Sequence, residues 1–282
     1  AMPGVVVRWG ALITTLAMWA GGDYEYHSES GWIKRMPDLY ERPPFAFDPA
    51  APMTQAMVRC YEGAAQTVGS RGYISAPIML DALTTLSSFR TPPQLCLDCI
   101  ERPDDVRRAS DNLTTLYLDG YDHFYRMLAA WGYSDTSSWL LCMAESKAEA
   151  VQCDFAVMLS PAMFERFVLP DLRRVTDYMD YSLYHLDGVC QMRFLDLLCT
   201  LPKLNGIQWN PEPPAGSPSL WLDAFRAIRD RGLSLYVTCN AVDEALAITT
   251  ALGPDGLMLV LPRFASRAEA EQAIRDIERA CK

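Results

Sequence analysis

Tyr184-His185-Leu186-Asp187-Gly188 and, further on, Gly206-Ile207-Gln208-Trp209-Asn210 carry the densest chemistry in this chain of 282 residues. Each is a short apolar run that ends abruptly in polar groups. A buried parallel strand reads this way when its C-terminal tip carries a site. His185 and Asp187 stand at i and i+2, which would place them on one face of an extended tip. An imidazole and a carboxylate so placed serve as a general acid–base couple or as two ligands of a metal. The structural alternative has Asp187 capping the next helix with His185 packed beneath it. Gln208 and Asn210 would fix a carboxylate or carbonyl of a substrate, with Trp209 as a flat apolar wall and Tyr184 beside them.

Three other places could add to such a site. Gln152-Cys153-Asp154-Phe155 offers a thiol and a carboxylate as nucleophile, ligand or base. It is expected in the long connection after the fourth barrel strand, and its bland reading is a buried thiol beside a surface carboxylate. Cys239, in Thr238-Cys239-Asn240, ends a strand and would point either at the same mouth or into the core. Asp81 would line the rim or simply cap a helix over 79–87. Trp139 reads as filling on its strand. His123 lies on an aromatic helix face with Tyr117, Tyr121, Phe124 and Tyr125 and reads as structural, while His27 sits in a polar loop.

The elements that must position these groups alternate. Helices are expected over 51–68, 79–87, 93–101 and 103–131, the last with Pro103 in its first turn and Asp104-Asp105 complementing the dipole. A helix over 161–179 would start at Ser160 as N-cap. Helices 190–199, 218–231, 242–252 and 266–280 alternate with strands 181–186, 205–209, 233–238 and 256–261. Strands at 72–77 and 136–143 precede them, and Val5-Val6-Val7-Arg8-Trp9 would be a seventh. Strand–helix alternation is the signature of a parallel sheet. The expected fold is α/β, a (β/α)8 TIM barrel in one domain over 1–282, irregular over 1–50 and regular over 51–282. Its N-terminal segment would be lacking or truncated. A doubly wound sheet is the alternative, but no glycine-rich dinucleotide turn is present.

The formal charge of -10 and pI near 4.8 argue against nucleic acid, whose phosphates draw on clustered Lys and Arg. Arg107-Arg108 and Arg173-Arg174 read as solvated helix faces. Nine cysteines at scattered spacing do not form a disulfide framework and suggest a reducing cytoplasm. Cys96 and Cys99 read as thiols inside a helix. The apolar stretch from Val5 to Ala20 is too broken for a membrane span and lacks a signal-peptide layout. Ala1-Met2 reads as an expression scar.

Gln152-Cys153-Asp154-Phe155, Ser160-Pro161-Ala162-Met163-Phe164, Val168-Leu169-Pro170, Tyr184-His185-Leu186-Asp187-Gly188 and Gly206-Ile207-Gln208-Trp209 together resemble the uroporphyrinogen decarboxylase superfamily. The similarity runs from about Phe45 to the C-terminus, and the branch it resembles is one of bacterial decarboxylase-like and corrinoid methyltransferase-like proteins. The resemblance implies a (β/α)8 barrel acting on a small organic substrate in its C-terminal mouth. It implies first a methyl transfer, corrinoid- or thiol-linked, with the corrinoid on a partner protein. A cofactor-free decarboxylase or lyase, or a ligand-binding barrel without turnover, are the alternatives. No equivalent of the arginine-bearing segment of the true porphyrinogen decarboxylases is found. The methyltransferases hold zinc with a His-x-Cys-Gly and a later Cys. Here His185 and Gly188 match, Asp187 replaces the cysteine, and the last strand ends Leu259-Val260-Leu261-Pro262. A rearranged metal set of His185 and Asp187 with Cys239, or with Cys153, would be harder and weaker than one with two thiolates. Relatives of this kind are often homodimers.

Overall fold

Proline in the first turn, where its missing N–H costs nothing, starts the helices Pro52–Val68, Pro92–Glu101, Pro103–Ala130 and Pro161–Phe167. The computed structural model describes residues 4–5, 15–26, 31–134, 136–137, 139–140, 142–210 and 216–281. In chain order its elements are β1 (Gly4–Val5), α1 (Thr15–Trp19), β2 (Tyr24–Tyr26), β3 (Gly31–Ile33), α2 (Pro52–Val68), β4 (Tyr73–Ile74), α3 (Ala82–Arg90), α4 (Pro92–Glu101) and α5 (Pro103–Ala130). Then come β5 (Thr136–Ser137), β6 (Met143–Ala144), β7 (Ala148–Val151), α6 (Pro161–Phe167), α7 (Leu169–Tyr178), β8 (Tyr181–Asp187), α8 (Leu195–Leu198) and β9 (Gly206–Asn210). The chain closes with α9 (Leu222–Asp230), β10 (Ser234–Thr238), α10 (Val242–Leu252), β11 (Leu257–Val260) and α11 (Arg267–Ala280). The residues sort into two compact units, Ala1–Ser182 and Leu183–Lys282. No described helix is long and apolar enough to cross a membrane.

The first unit is organised by α5. It buries Leu113, Leu116, Tyr117, Tyr121, Phe124 and Leu128 at helical spacing. Phe124 and Leu128 join Met57, Tyr61 and Val68 of α2 and Ile74 of β4 in one apolar cluster. Gly120 lets Trp19 of α1 lie against the helix, since an added Cβ would come within 2.1 Å of the Trp19 ring. Arg107 donates to Asp171 Oδ1 at 3.1 Å and Arg174 to Asp111 Oδ1 at 2.6 Å, so these arginines strap α5 to α7 rather than forming solvated faces. The buried Asp98 accepts from Arg90, Gln94 and the Tyr40 hydroxyl. Burial alone would raise its carboxyl, but those three donors hold it below the usual range. His27 and residues 6–9 of the expected first strand lie outside the described residues; Gly4 and Val5 pair in parallel with Tyr73 and Ile74.

Several expected elements differ. The strand expected over 136–143 is a pair of two-residue strands, β5 and β6, joined antiparallel. Trp139 lies in the turn between them and donates its indole N–H to the Ala150 carbonyl at 3.2 Å. The true strand is β7, Ala-Glu-Ala-Val, whose four residues are all buried. Two alanines and a glutamate carry little strand signal, which is why the pattern misleads. Gln152-Cys153-Asp154 therefore sits at the tip of β7, not in a long connection. The expected helix over 161–179 breaks at Val168 into α6 and α7, because Pro170 cannot donate to the carbonyl one turn back. The helix expected over 79–87 begins only at Ala82, where Asp81 Oδ1 accepts the Thr84 N–H at 2.9 Å. The helix expected over 190–199 is a 3-10 turn, Val189–Phe194, followed by the single turn of α8.

In the second unit, β8, β9, β10 and β11 lie side by side in that order and all run parallel. The arrangement expected from the alternation is observed here, with α9, α10 and α11 at the expected places. The β8–β9 register sets His185 opposite Gln208, Leu186 opposite Trp209, and Asp187 opposite Asn210. Gly206 opens β9 where strands approach closely: a Cβ there would lie 2.6 Å from the Ser234 carbonyl oxygen and 2.7 Å from Leu183 Cδ2. Backbone and packed leucine cannot both yield. Gly206→Ala is expected to destabilise the fold by about 1–3 kcal/mol, the usual range for overpacking, read as a lowered urea midpoint. An unchanged midpoint would show that β9 and β10 can separate freely.

Candidate active site

Alternation along two registered strands sorts their residues into two sets. Tyr184, Leu186, Ile207 and Trp209 share one face, and all are fully buried. Trp209 packs against Trp221 and against Phe225 of α9, with ring centroids 5.1 and 5.4 Å away. Its indole N–H finds no acceptor. The Tyr184 hydroxyl donates to Oε1 of the buried Gln191 at 2.8 Å. These two residues, expected to bind substrate, form the helix-covered core of the second unit.

The opposite face carries the chemistry. His185 Nδ1 contacts Gln208 Oε1, and Asn210 Nδ2 donates to Asp187 Oδ1 at 2.6 Å. His185 Nε2 lies 3.8 Å from Asp187 Oδ1. His185 and Gln208 are 8% and 4% exposed, so the imidazole–amide contact is shielded from water. Asp187 and Asn210 are half-buried at the strand ends. The result is a two-by-two grid of imidazole, carboxylate and two amides at the C-terminal ends of adjacent parallel strands. Those are the ends where ligands bind in parallel α/β folds.

Cys239 does not join the grid. Its N–H still donates to the Val260 carbonyl at 2.8 Å, so the alternation of β10 continues through it. Leu235 and Val237 stand opposite Ile207 and Trp209, which puts Cys239 on the covered face. Burial, with the Glu244 charge adding, pushes its thiol up to about 11. Among the described residues no three His, Cys, Asp or Glu side chains are grouped to hold a metal ion. The expected set of His185, Asp187 and Cys239 therefore does not fit zinc.

The first unit holds a second cluster. Asp81 Oδ1 caps α3, its enclosed Oδ2 finds no hydrogen-bond partner, and the Cys153 thiol lies beside the carboxyl. Burial pushes the Asp81 carboxyl up to about 7, the Thr84 bonds opposing and the Asp154 charge adding. Cys153 is fully buried, and burial together with the Asp81 charge drives its thiol far up. A thiol in that setting is a poor nucleophile. Asp154 begins a 3-10 turn, Asp154–Met158, and is half-buried. A narrow cleft, part of it open to solvent, lies beside Asp81 and is lined also by Thr114, Tyr117, Gln152 and Asp171.

Glu149 was not expected at all. It is 3% exposed on β7 and accepts the Ala150 N–H at 2.8 Å. Burial pushes its carboxyl up to about 8, the Ala150 bond partly opposing. The charges of Glu149 and Asp81 both add to the burial that raises the Tyr117 phenol. A lone Glu between alanines gives no warning of this in the sequence. His123 packs against Phe47 and Phe124, and burial lowers its imidazole. Cys96 and Cys99 lie on α4 as expected, and burial pushes the Cys99 thiol up to about 12. Of the nine cysteines, Cys60 and Cys190 are exposed.

No family model matches this chain, and no curated protein sequence does. Among solved structures the chain is similar to a methyltransferase from Methanosarcina mazei, with a TM-score of 0.60 and 13% identity over 98% of this chain and 80% of that one. At that identity the likeness is one of fold.

The raised carboxyls make stability fall with rising pH. Glu149 binds its proton up to about 8 when folded but releases it near 4.5 when unfolded. Below 4.5 both states hold the proton. Above it the unfolded chain alone releases it, so stability declines by up to about 1.4 kcal/mol per pH unit until the folded value is reached. Asp81 acts with the same sign between 3.8 and about 7. Glu149→Gln is expected to flatten the decline and raise stability at pH 8, measured by urea unfolding at pH 5 and pH 8. An equally steep decline in the variant would exclude Glu149 as its source.

Proposed function

We propose that this chain is a methyl-transferring enzyme of the uroporphyrinogen decarboxylase-like (β/α)8 type, acting on a small organic substrate at the strand ends. The observation that carries this reading is the grid of His185, Asp187, Gln208 and Asn210 at the C-terminal ends of β8 and β9, its imidazole and Gln208 buried. The fold likeness to a methyltransferase supports it. A thiol acceptor attacks only as its proton leaves, and an imidazole is the side chain suited to take that proton near neutral pH. In the proposed step His185 takes the thiol proton while the sulfur lone pair forms the new C–S bond. The bond between the methyl group and its donor breaks, and its electron pair leaves with the donor. A methylcorrinoid carried by a partner protein is the donor class in view, as co-substrate. Asp187 steadies the imidazolium so formed from 3.8 Å. No step runs through zinc, because the expected ligands do not assemble.

One observation favours a second reading, a cofactor-free decarboxylase. Glu149 keeps its proton at neutral pH and Asp81, raised to about 7, is there shared between its two forms; decarboxylation ends when the carbanion left by departing CO2 takes a proton. Asp81 lines the cleft of the first unit and would be the donor.

Methylcobalamin with a panel of small thiols tests the first reading. The wild-type chain is expected to demethylate it in a thiol-dependent reaction, and His185→Ala to slow that reaction about 10²–10⁴-fold with an unchanged far-ultraviolet circular dichroism spectrum. No thiol-dependent demethylation by the wild type would overturn methyl transfer to a thiol. CO2 release from carboxylated substrates, lost in Asp81→Asn, would establish the second reading instead.

A further inference from the structure

We infer that Gln208 is a positioning residue that sets the tautomer of His185, holding the ring proton on Nδ1 and leaving the lone pair on Nε2. The amide was expected to bind substrate, and the geometry gives it different work. The atom of Gln208 that meets the imidazole is Oε1, an acceptor with no proton to give. Its contact with Nδ1 is a hydrogen bond only if Nδ1 carries the proton. A neutral imidazole has a single N–H, so Nε2 then bears the lone pair.

Three features hold this arrangement. The β8–β9 register places His185 directly opposite Gln208, so the backbone delivers the pair. Both side chains are buried, where water cannot replace the bond and a lost partner is costly. The Asp187 carboxylate, one competitor for the ring, is restrained. Asp187 Oδ1 stands 3.8 Å from Nε2, beyond hydrogen-bond length, and is held by Asn210 at 2.6 Å. The grid thus has two amides, each locking one member of the imidazole–carboxylate couple. In free histidine the neutral ring prefers its proton on Nε2, so Gln208 works against the intrinsic preference. A histidine orienter of this kind is a familiar requirement where one ring nitrogen must stay open to a proton or a ligand.

Only the use made of Nε2, taking the acceptor's proton, rests on the proposed methyl transfer; the tautomer itself does not. The test therefore reads the ring and not the reaction. The chain has three histidines, so two-bond proton–nitrogen correlation spectra of the 15N-histidine-labelled protein resolve one ring each, and His185→Ala identifies the signal. At a pH where the ring is neutral, the wild type is expected to show the Nδ1–H form at His185. Gln208→Leu is expected to move it to the Nε2–H form, while the other two rings keep their shifts as a control on folding. Gln208→Glu keeps an acceptor in place and is expected to retain the Nδ1–H form. An Nε2–H ring in the wild type, or in Gln208→Glu, would overturn the inference, as would an unchanged tautomer in Gln208→Leu. If the leucine variant does not fold, the wild-type and glutamate spectra decide alone. In turnover, a positioning role is read as a fall in kcat with KM little changed in Gln208→Leu, whereas a substrate-binding amide would raise KM. An Nδ1–H ring with no methyl transfer would leave this inference standing and remove only the reaction.

Discussion

The pleat of β8 and β9, kept in register, is the constraint on which the candidate site depends. Neighbouring residues of a strand point to opposite sides, so a slip of one residue would exchange the two faces. His185 would then be pressed into the apolar packing around Phe225, and Trp209 would stand where the amide now meets the imidazole. Such a slip would bury an imidazole and a carboxylate against rings that offer them nothing. Large apolar side chains on one face thereby enforce the placement of polar ones on the other. Gly206 contributes by its size, since it admits the Ser234 backbone and the Leu183 side chain together.

Much of the second unit was legible in the sequence because its signals are local. Strands 181–186, 205–209, 233–238 and 256–261 correspond to β8 through β11, each a compact apolar run between amphipathic helices. The placing of His185 and Asp187 on one face follows from period two alone, and so does the partnership with Gln208 and Asn210 once the strands are neighbours. Trp209 was misjudged for the same reason. It belongs to the odd set of β9, and that parity outweighs its suitability as an apolar wall. Cys239 fails likewise as a ligand.

The first unit was harder to read, because its decisive facts are burial facts. Glu149 looks like a surface residue between small neighbours, and only the packing around β7 shows that it is enclosed. The β5–β6 pair carries enough apolar residues nearby to imitate a longer strand, while β7 itself carries few. Asp81 was legible as a helix cap, yet nothing local announces that its carboxyl is enclosed beside a buried thiol. Keeping such carboxyls inside the protein costs stability at neutral pH, and proteins tend to accept that loss where a proton must be held ready. Cys153 gains nothing comparable, since the same surroundings that raise the carboxyl suppress the thiolate.

The distribution of the thiols has an experimental use. Of the nine, Cys60 and Cys190 alone are exposed, and they fall one in each compact unit. A maleimide dye would therefore attach at those two thiols ahead of the half-buried Cys96, Cys142, Cys199 and Cys281. Mass spectrometry of samples quenched at intervals would then rank the thiols by their access to solvent.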